Sequence, residues 1–424
     1  MFEKGYLKGK RLDWAITAAS CQAFLLLGYD QGVTSGIIGA DNQFGHDFNS
    51  PDSKLQGTIV SIYDIRCAVG ALFCFVFGER FGRKRVILAG GTTMIIGTII
   101  LASSQSLAQL LVGRIVTGIG NGFNSSTVPM YQSEMARGTN RGMLLSMQGV
   151  VTIVGVCIAY WLDYGMSFVN GPSQWRFPMA FQGFFAILLV LQMLPLPETP
   201  RYLIENNRNS EASEVLARLQ GGDATVDHPE VVFQRQQIEV SIEIESVGGP
   251  FRYQELLQGG KLQNFRRLVL CCAVNLMQQF TGANMINYYA PVFLGIGWLP
   301  IPWFYPAEIS TTRIRSRGQA IGSFINWMCV FTVVQITPIA ISNISWHTFI
   351  IFAVFNAFWV PIVYCFFPET NQLELEDIDH LFEKGGITGG VFKSRGKTVE
   401  RNYHTTHPKL EGIEKNIDME MQLE

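Results

Sequence analysis

Four amides and two tyrosines crowd one apolar run: Gln278, Gln279, Asn284 and Asn287, followed by Tyr288 and Tyr289. A hydrocarbon environment makes uncompensated polar groups costly, so amides clustered at mid-span mark a place that binds something polar. A single Asn or Gln can equally serve helix packing. Several together, followed by aromatics, suit a polyhydroxylated ligand, because amides offer paired donors and acceptors to hydroxyls and aromatic faces suit the C–H faces of a ring. A second chemistry belongs to Asp30, near the middle of the first apolar run, and Arg114, in the fourth. An Asp at the centre of a membrane helix costs about 3 kcal/mol on insertion scales, so it needs a partner or a task. Pairing with Arg114 favours the ionised acid and protonation dissolves the pair, which makes the two a candidate proton switch. A static ion pair that only positions two helices is the plainer alternative.

The elements that carry these residues are membrane helices. The 424 residues are 48% hydrophobic and only 16% charged, too apolar for an ordinary soluble protein of this length. Apolar runs near residues 13–39, 56–77, 86–104, 107–130, 143–162 and 177–196 are each long enough to cross a core of roughly 30 Å as a helix. Another opens at 268, and two more cover 320–342 and 346–367. The first follows Lys4, Lys8, Lys10 and Arg11, so it reads as a spanning helix entered from the cytosol rather than as a cleaved signal. All eight cysteines fall in apolar stretches, with neither a disulfide framework nor metal-ligand spacing. Gly118, Gly120 and Gly122 follow no strand, so close helix packing explains them better than a dinucleotide fingerprint. No catalytic constellation is present; the expectation is a protein that is not an enzyme, has no cofactor or metal, and has no nucleic-acid partner.

Two stretches, QQFTGANMINYYAP from Gln278 and IGWLPIPWFYPAEI ending at Ile309, resemble the seventh and tenth helices of the sugar porters of the major facilitator superfamily. GERFGRKR, residues 78–85, is similar to that superfamily's signature turn between helices two and three, and PETPR from Pro197 to the motif after helix six. The resemblance implies an all-α polytopic membrane protein with the major facilitator fold: two helix bundles, the second incomplete, about 10 transmembrane helices in all. It implies sugar contacts at Gln278, Gln279, Asn284, Trp303 and Asn326, and proton coupling through Asp30 and Arg114. It also implies a cytosolic gate of Arg83, Glu134, Arg141, Glu198, Glu308, Arg315 and Glu369. Plain anchoring at the interface is the simpler reading of those gate charges.

An internal repeat measures what is missing. Tyr131 and Glu134 with Arg141 echo Tyr305 and Glu308 with Arg315, and Pro197-Glu198-Thr199 echoes Pro368-Glu369-Thr370. The two acids of each half lie 64 and 61 residues apart, so the halves are parallel copies. Yet residues 13 to 134 span 121 positions and residues 268 to 308 only 40, a shortfall of about 80. Helices eight and nine and the front of helix ten are absent on this reading. What remains of helix ten is too short to cross a bilayer unless it stays inside the bundle.

The expected organisation is a cytosolic N-terminus (1–12), a six-helix bundle (13–199), a cytosolic loop with amphipathic helices (200–267), a truncated bundle (268–367) and a cytosolic tail (368–424). The expected activity, by resemblance to fungal hexose and polyol proton symporters, is transport of a sugar or polyol with a proton by alternating access. The chain would work as a monomer in the lipid bilayer of the plasma membrane, both termini in the cytosol, impaired by the gap. Two rival readings are a transporter-like membrane sugar sensor and a non-functional product of a mispredicted gene, with coding sequence taken for an intron.

Overall fold

The computed structural model describes residues 7–38, 43–48, 53–136, 141–221, 224–246, 253–257, 263–281, 301–345 and 347–370, with 378, 382 and 391. Among them there is no strand. Six long helices come first: α1 (Lys10–Ile38), then, after a short α2 (Gln43–Asp47), α3 (Ser53–Phe81), α4 (Arg83–Ala102), α5 (Leu107–Met135), α6 (Arg141–Met166) and α7 (Ser173–Met193). Three short helices follow, α8 (Pro200–Glu205), α9 (Asn209–Gln220) and α10 (Pro229–Ser246), and a 3-10 turn at Tyr253–Leu257. The second half is α11 (Asn264–Phe280), α12 (Ile301–Ile309), α13 (Thr312–Ile344) and α14 (His347–Phe366). Among the described residues, five stretches are long and apolar enough to cross a membrane by length and composition alone: 83–102, 142–166, 173–193, 314–336 and 347–366. Helices α1, α3 and α5, of 29 residues each, add the length but carry charges at mid-helix.

Glycines set how closely the helices lie. A Cβ on Gly28 of α1 would stand 1.9 Å from the carbonyl oxygen of Thr152 on α6, and one on Gly122 of α5 would stand 2.3 Å from that of Cys67 on α3. Backbone against backbone is the packing that small residues permit in membrane bundles. Gly118, Gly120 and Gly122 all serve such contacts, as their spacing suggests.

The sequence reading placed residues 78–85 in a turn; the structure shrinks that turn to Gly82. Helix α3 runs to Phe81 and α4 starts at Arg83, because charged residues extend a helix past its apolar stretch once it leaves the bilayer. Gly82 has φ +83, and a Cβ there would stand 2.7 Å from the Glu198 carboxylate and 2.9 Å from the Tyr202 ring. Glu198 accepts from the backbone N–H groups of Arg83 and Lys84 at 3.1 Å, so its charge caps the positive end of α4. Burial holds the Glu198 carboxyl above its ordinary range, against the pull of the Lys84 and Thr199 N–H groups.

The second half is thin. Helix α13 packs chiefly on α3 and α11, while α14 touches its neighbours lightly and has one buried residue, Thr348. Helix α12 has nine residues, about 14 Å of helix. Pro302, Trp303, Tyr305, Pro306, Ala307, Glu308 and Ile309 are all buried, so this short piece lies inside the bundle.

Candidate functional site

Helices α11 and α13 bring four amides together. Asn326 of α13 donates to Gln278 at 2.7 Å and to Asn275 at 3.1 Å, and accepts from Gln279 at 3.1 Å. Gln279 also donates to Gln278 at 3.2 Å. All four are buried, at 3% exposure or less. Three of these positions were expected from the sequence; Asn275, one turn before Gln278 on the same face of α11, was not. Asn284 lies outside the described residues, as do Asn287, Tyr288 and Tyr289.

Beside the amides stands an aromatic cluster. Trp303 of α12 lies 6.0 Å from Trp327 of α13, measured between ring centroids, and 5.9 Å from Phe24 of α1. Gln319 holds the carbonyl of Trp303 at 3.0 Å. Trp327 sits edge-on to Tyr63 of α3 at 5.8 Å and donates its indole N–H to Ser125 of α5 at 3.2 Å. Indole rings beside convertible amide–amide bonds can exchange partners with the hydroxyls of a ligand at small net cost, since one hydrogen bond replaces another.

The Asp30–Arg114 pair forms as the sequence implied. A guanidinium nitrogen of Arg114 lies 3.2 Å from Asp30 Oδ1, with both residues 1% exposed. Among the described residues, two Arg114 nitrogens have no hydrogen-bond partner, and Tyr63 lies beside the Asp30 carboxylate. Tyr63 connects this pair to the aromatic cluster: the Arg114 guanidinium lies 5.8 Å from its ring, the same ring that meets Trp327, and Asn121 donates to its hydroxyl. The sequence reading missed Tyr63, and it missed Asp64 and Arg66 just beyond it. Both are buried on α3, at 5% and 4% exposure. Two charges within three residues of an apolar run were the available signal.

The remaining charges gather where α3 meets α4. Arg83 pairs with Glu134 at 3.1 Å and with Glu205 at 3.7 Å, and Arg201 and Arg315 add to the positive field at Glu134. Across the two halves, Glu79 of α3 pairs with Arg317 of α13 at 2.6 Å, a contact absent from the expected set. Glu308 accepts from Thr370 at 2.8 Å, and Glu308 and Glu369 both flank Tyr305. Arg315 donates to the carbonyls of Ala307 and Ser310 at 3.0 and 3.1 Å. Arg141 opens α6 and its side chain lies outside the described residues. The repeat has a structural counterpart: Tyr131 donates to the carbonyl of Pro197 at 2.8 Å, and Tyr305 to that of Pro368 at 3.2 Å.

At the opposite end, α2 is pinned to α7. Trp175 donates its indole N–H to Asp47 at 2.8 Å, and Gln43 donates to the same carboxylate at 2.9 Å. The Gln43 and Trp175 hydrogen bonds hold the Asp47 carboxyl below its ordinary range. A cavity of about 400 Å³ opens elsewhere, between α1, α5 and α6, with Trp14, Ile16, Met135 and Met143 in its wall. It touches neither the amides nor the Asp30 pair.

The profile of the family described as "Sugar (and other) transporter" matches residues 14–295 and 292–382. The MFS-type transporter oryC of Aspergillus oryzae is 35% identical, over 89% of this chain and 86% of its own. The sugar transporter STL1 of Saccharomyces cerevisiae is 31% identical, over 89% of this chain and 82% of its own. The alignment with oryC runs to 467 positions although this chain has 424 residues, so it passes over positions this chain lacks. Among solved structures, the MFS proton:xylose symporter XylE bound to 6-bromo-6-deoxy-D-glucose superposes with a TM-score of 0.76. It is 20% identical, and the match covers 87% of this chain and 99% of that one.

Proposed function

The chain belongs to the family of sugar and other transporters of the major facilitator superfamily, a multi-pass membrane protein, and on that premise we propose that it carries a hexose or polyol by proton-coupled alternating access. The observation that carries this reading is that Asn326 of the amide group immediately precedes Trp327, which meets Trp303 and Tyr63, and that Tyr63 meets Arg114 of the Asp30–Arg114 pair. Gln278, Gln279, Asn326 and Trp303 hold the ligand, with Asn284 a further contact on the same stretch. Tyr63 touches both the cluster and the pair, so a ligand that shifts the tryptophans shifts the setting in which Asp30 holds or yields Arg114. Arg83, Glu134, Arg141, Glu198, Glu308, Arg315 and Glu369 close the cytosolic side, reinforced by the Glu79–Arg317 pair. A monomer in the plasma membrane with both termini in the cytosol completes the reading. The relatives named above as transporters support it.

The test is binding by the purified full chain in lipid nanodiscs, followed by titration calorimetry with a hexose and with a polyol. One of them is expected to bind. Asn326→Ala takes one hydrogen-bonding group away from the ligand, which leaves a ligand hydroxyl unpaired at a cost of about 1–3 kcal/mol, so affinity is expected to fall by roughly five- to 150-fold. If neither ligand binds at millimolar concentration, the sugar reading fails.

A second inference concerns the short second half. We infer that this chain lacks two helices and part of a third, and that net transport is impaired. Three observations support it: the split family match meeting at 292–295, the alignment longer than the chain, and the nearly unburied α14. Sequencing the mature transcript across the codons for residues 294–298 tests it. Roughly 80 extra codons are expected if the gap is an error of gene prediction; a transcript that reads straight through makes the short chain real. Proton-driven uptake of a hexose or polyol by the short chain in vesicles would overturn the impairment.

A further inference from the structure

Asp64 of α3 is buried, at 5% exposure, and no ion pair to it within 4.0 Å is seen among the described residues. Arg66, two positions on, and Arg114 add positive field at Asp64, but neither is in ion-pair contact with it among the described residues. Arg66 Nε donates to the carbonyl of Ile62 and its Nη1 reaches the carbonyl of Leu111 on α5 at 3.4 Å. Positions two apart on a helix point about 200° apart, so with Arg66 turned to α5 the Asp64 side lies on the other flank, where α3 packs on α13. The register of that seam is marked by Glu79 on Arg317, Gly78 beside Ser316 and Tyr63 on Trp327. Asp64 therefore lies level with residues 327–334 of α13, whose one titratable side chain is Cys329.

The other titratable or charged groups around it are few. Its own helix offers Tyr63, Arg66 and Cys67; α1 offers Asp30; α5 offers Arg114, which is already engaged with Asp30. Residues 86–102 of α4 include none. An ionised carboxylate here would be a largely buried charge with no counter-ion in direct contact among the described residues, a costly arrangement in a bilayer. A neutral carboxyl removes most of that cost.

We propose that Asp64 is a second proton-binding site, placed on the seam between the two halves: neutral while α3 and α13 are closed on each other, ionised once the seam admits water. The step is dissociation of the carboxyl O–H; its proton passes to an entering water molecule and the electron pair stays on the carboxylate. Asp30 remains ionised against Arg114 in the closed state, so the two acids hold different protonation states in one conformation. The physiological use of this site rests on the proton-coupled transport reading, whereas its existence does not.

Infrared difference titration of the full chain in nanodiscs tests it, together with spin-label distances across the α3–α13 seam as pH is varied. A component of the protonated carboxyl C=O band in the wild type is expected to be lost in Asp64→Asn, kept in Asp30→Asn, and shifted but present in Asp64→Glu; other buried acids such as Asp163 supply the rest of the band. Seam opening is expected to increase with pH in the wild type and to become pH-independent in Asp64→Asn. Asn resembles the neutral acid in shape, so this variant should fold; the Glu variant separates loss of the proton from loss of the fold. A C=O band unchanged in Asp64→Asn, a component lost in Asp30→Asn, or a seam that titrates unchanged in Asp64→Asn overturns the proposal. If the variants behave as expected and neither a hexose nor a polyol binds the wild type, the sugar reading fails and this site stands.

Discussion

Arg114→Ala is expected to destabilise the protein by about 3–5 kcal/mol, the range for removing one partner of a buried ion pair. Asp30 and Arg114 are both 1% exposed, and no other cation lies within ion-pair distance of Asp30 among the described residues. The single variant leaves a carboxylate in a dehydrated site, whereas Asp30→Asn with Arg114→Gln replaces the pair by neutral groups of similar shape. That double variant should recover much of the loss. Thermal unfolding of the detergent-purified protein measures all three chains. Equal melting temperatures for wild type and Arg114→Ala would show that the pair contributes nothing to the fold.

Gly28→Ala is expected to cost about 3 kcal/mol or more, at or above the upper end for overpacking. The added methyl would lie 1.9 Å from a backbone oxygen, that of Thr152, and no rotamer of any side chain can relieve a clash with backbone. Helices α1 and α6 would have to separate, and α1 carries both Phe24, which meets Trp303, and Asp30. The control is Gly142→Ala in α6, where nothing lies within 4 Å of the added methyl. Its effect should stay within about 0.5 kcal/mol. Monodispersity by size-exclusion chromatography and the melting temperature distinguish the two; a Gly28→Ala protein that elutes and melts as the wild type would contradict the packing of α1 on α6.

Much of the fold was legible because membrane helices announce themselves by length and hydropathy. The apolar runs correspond to α1, α3 to α7, α13 and α14, with ends shifted by a few residues. The Asp30–Arg114 pair was legible because a charge in hydrocarbon demands a partner, and each run held a single obvious candidate. Asp64 and Arg66 escaped for the complementary reason: they lie close together in a strongly apolar run whose average hides them, and positions two apart on a helix do not announce a pair. The turn at Gly82 was overestimated because hydropathy ends where the bilayer ends while hydrogen bonding along the helix continues. Asn275 went unseen because a lone amide ahead of a cluster carries no signal until the partner helix, with Asn326, is in place.

The single-residue turn at Gly82 makes α3 and α4 a stiff bracket. With no slack between Phe81 and Arg83, and with Glu198 clamped on the first N–H groups of α4, a tilt of one helix must be handed to the other. Glu79, gripped by Arg317 one turn before the bend, is therefore a handle at the elbow of a lever. Releasing it lets the far end of α3, where Tyr63 and Asp64 sit, swing through a longer arc than the elbow itself travels.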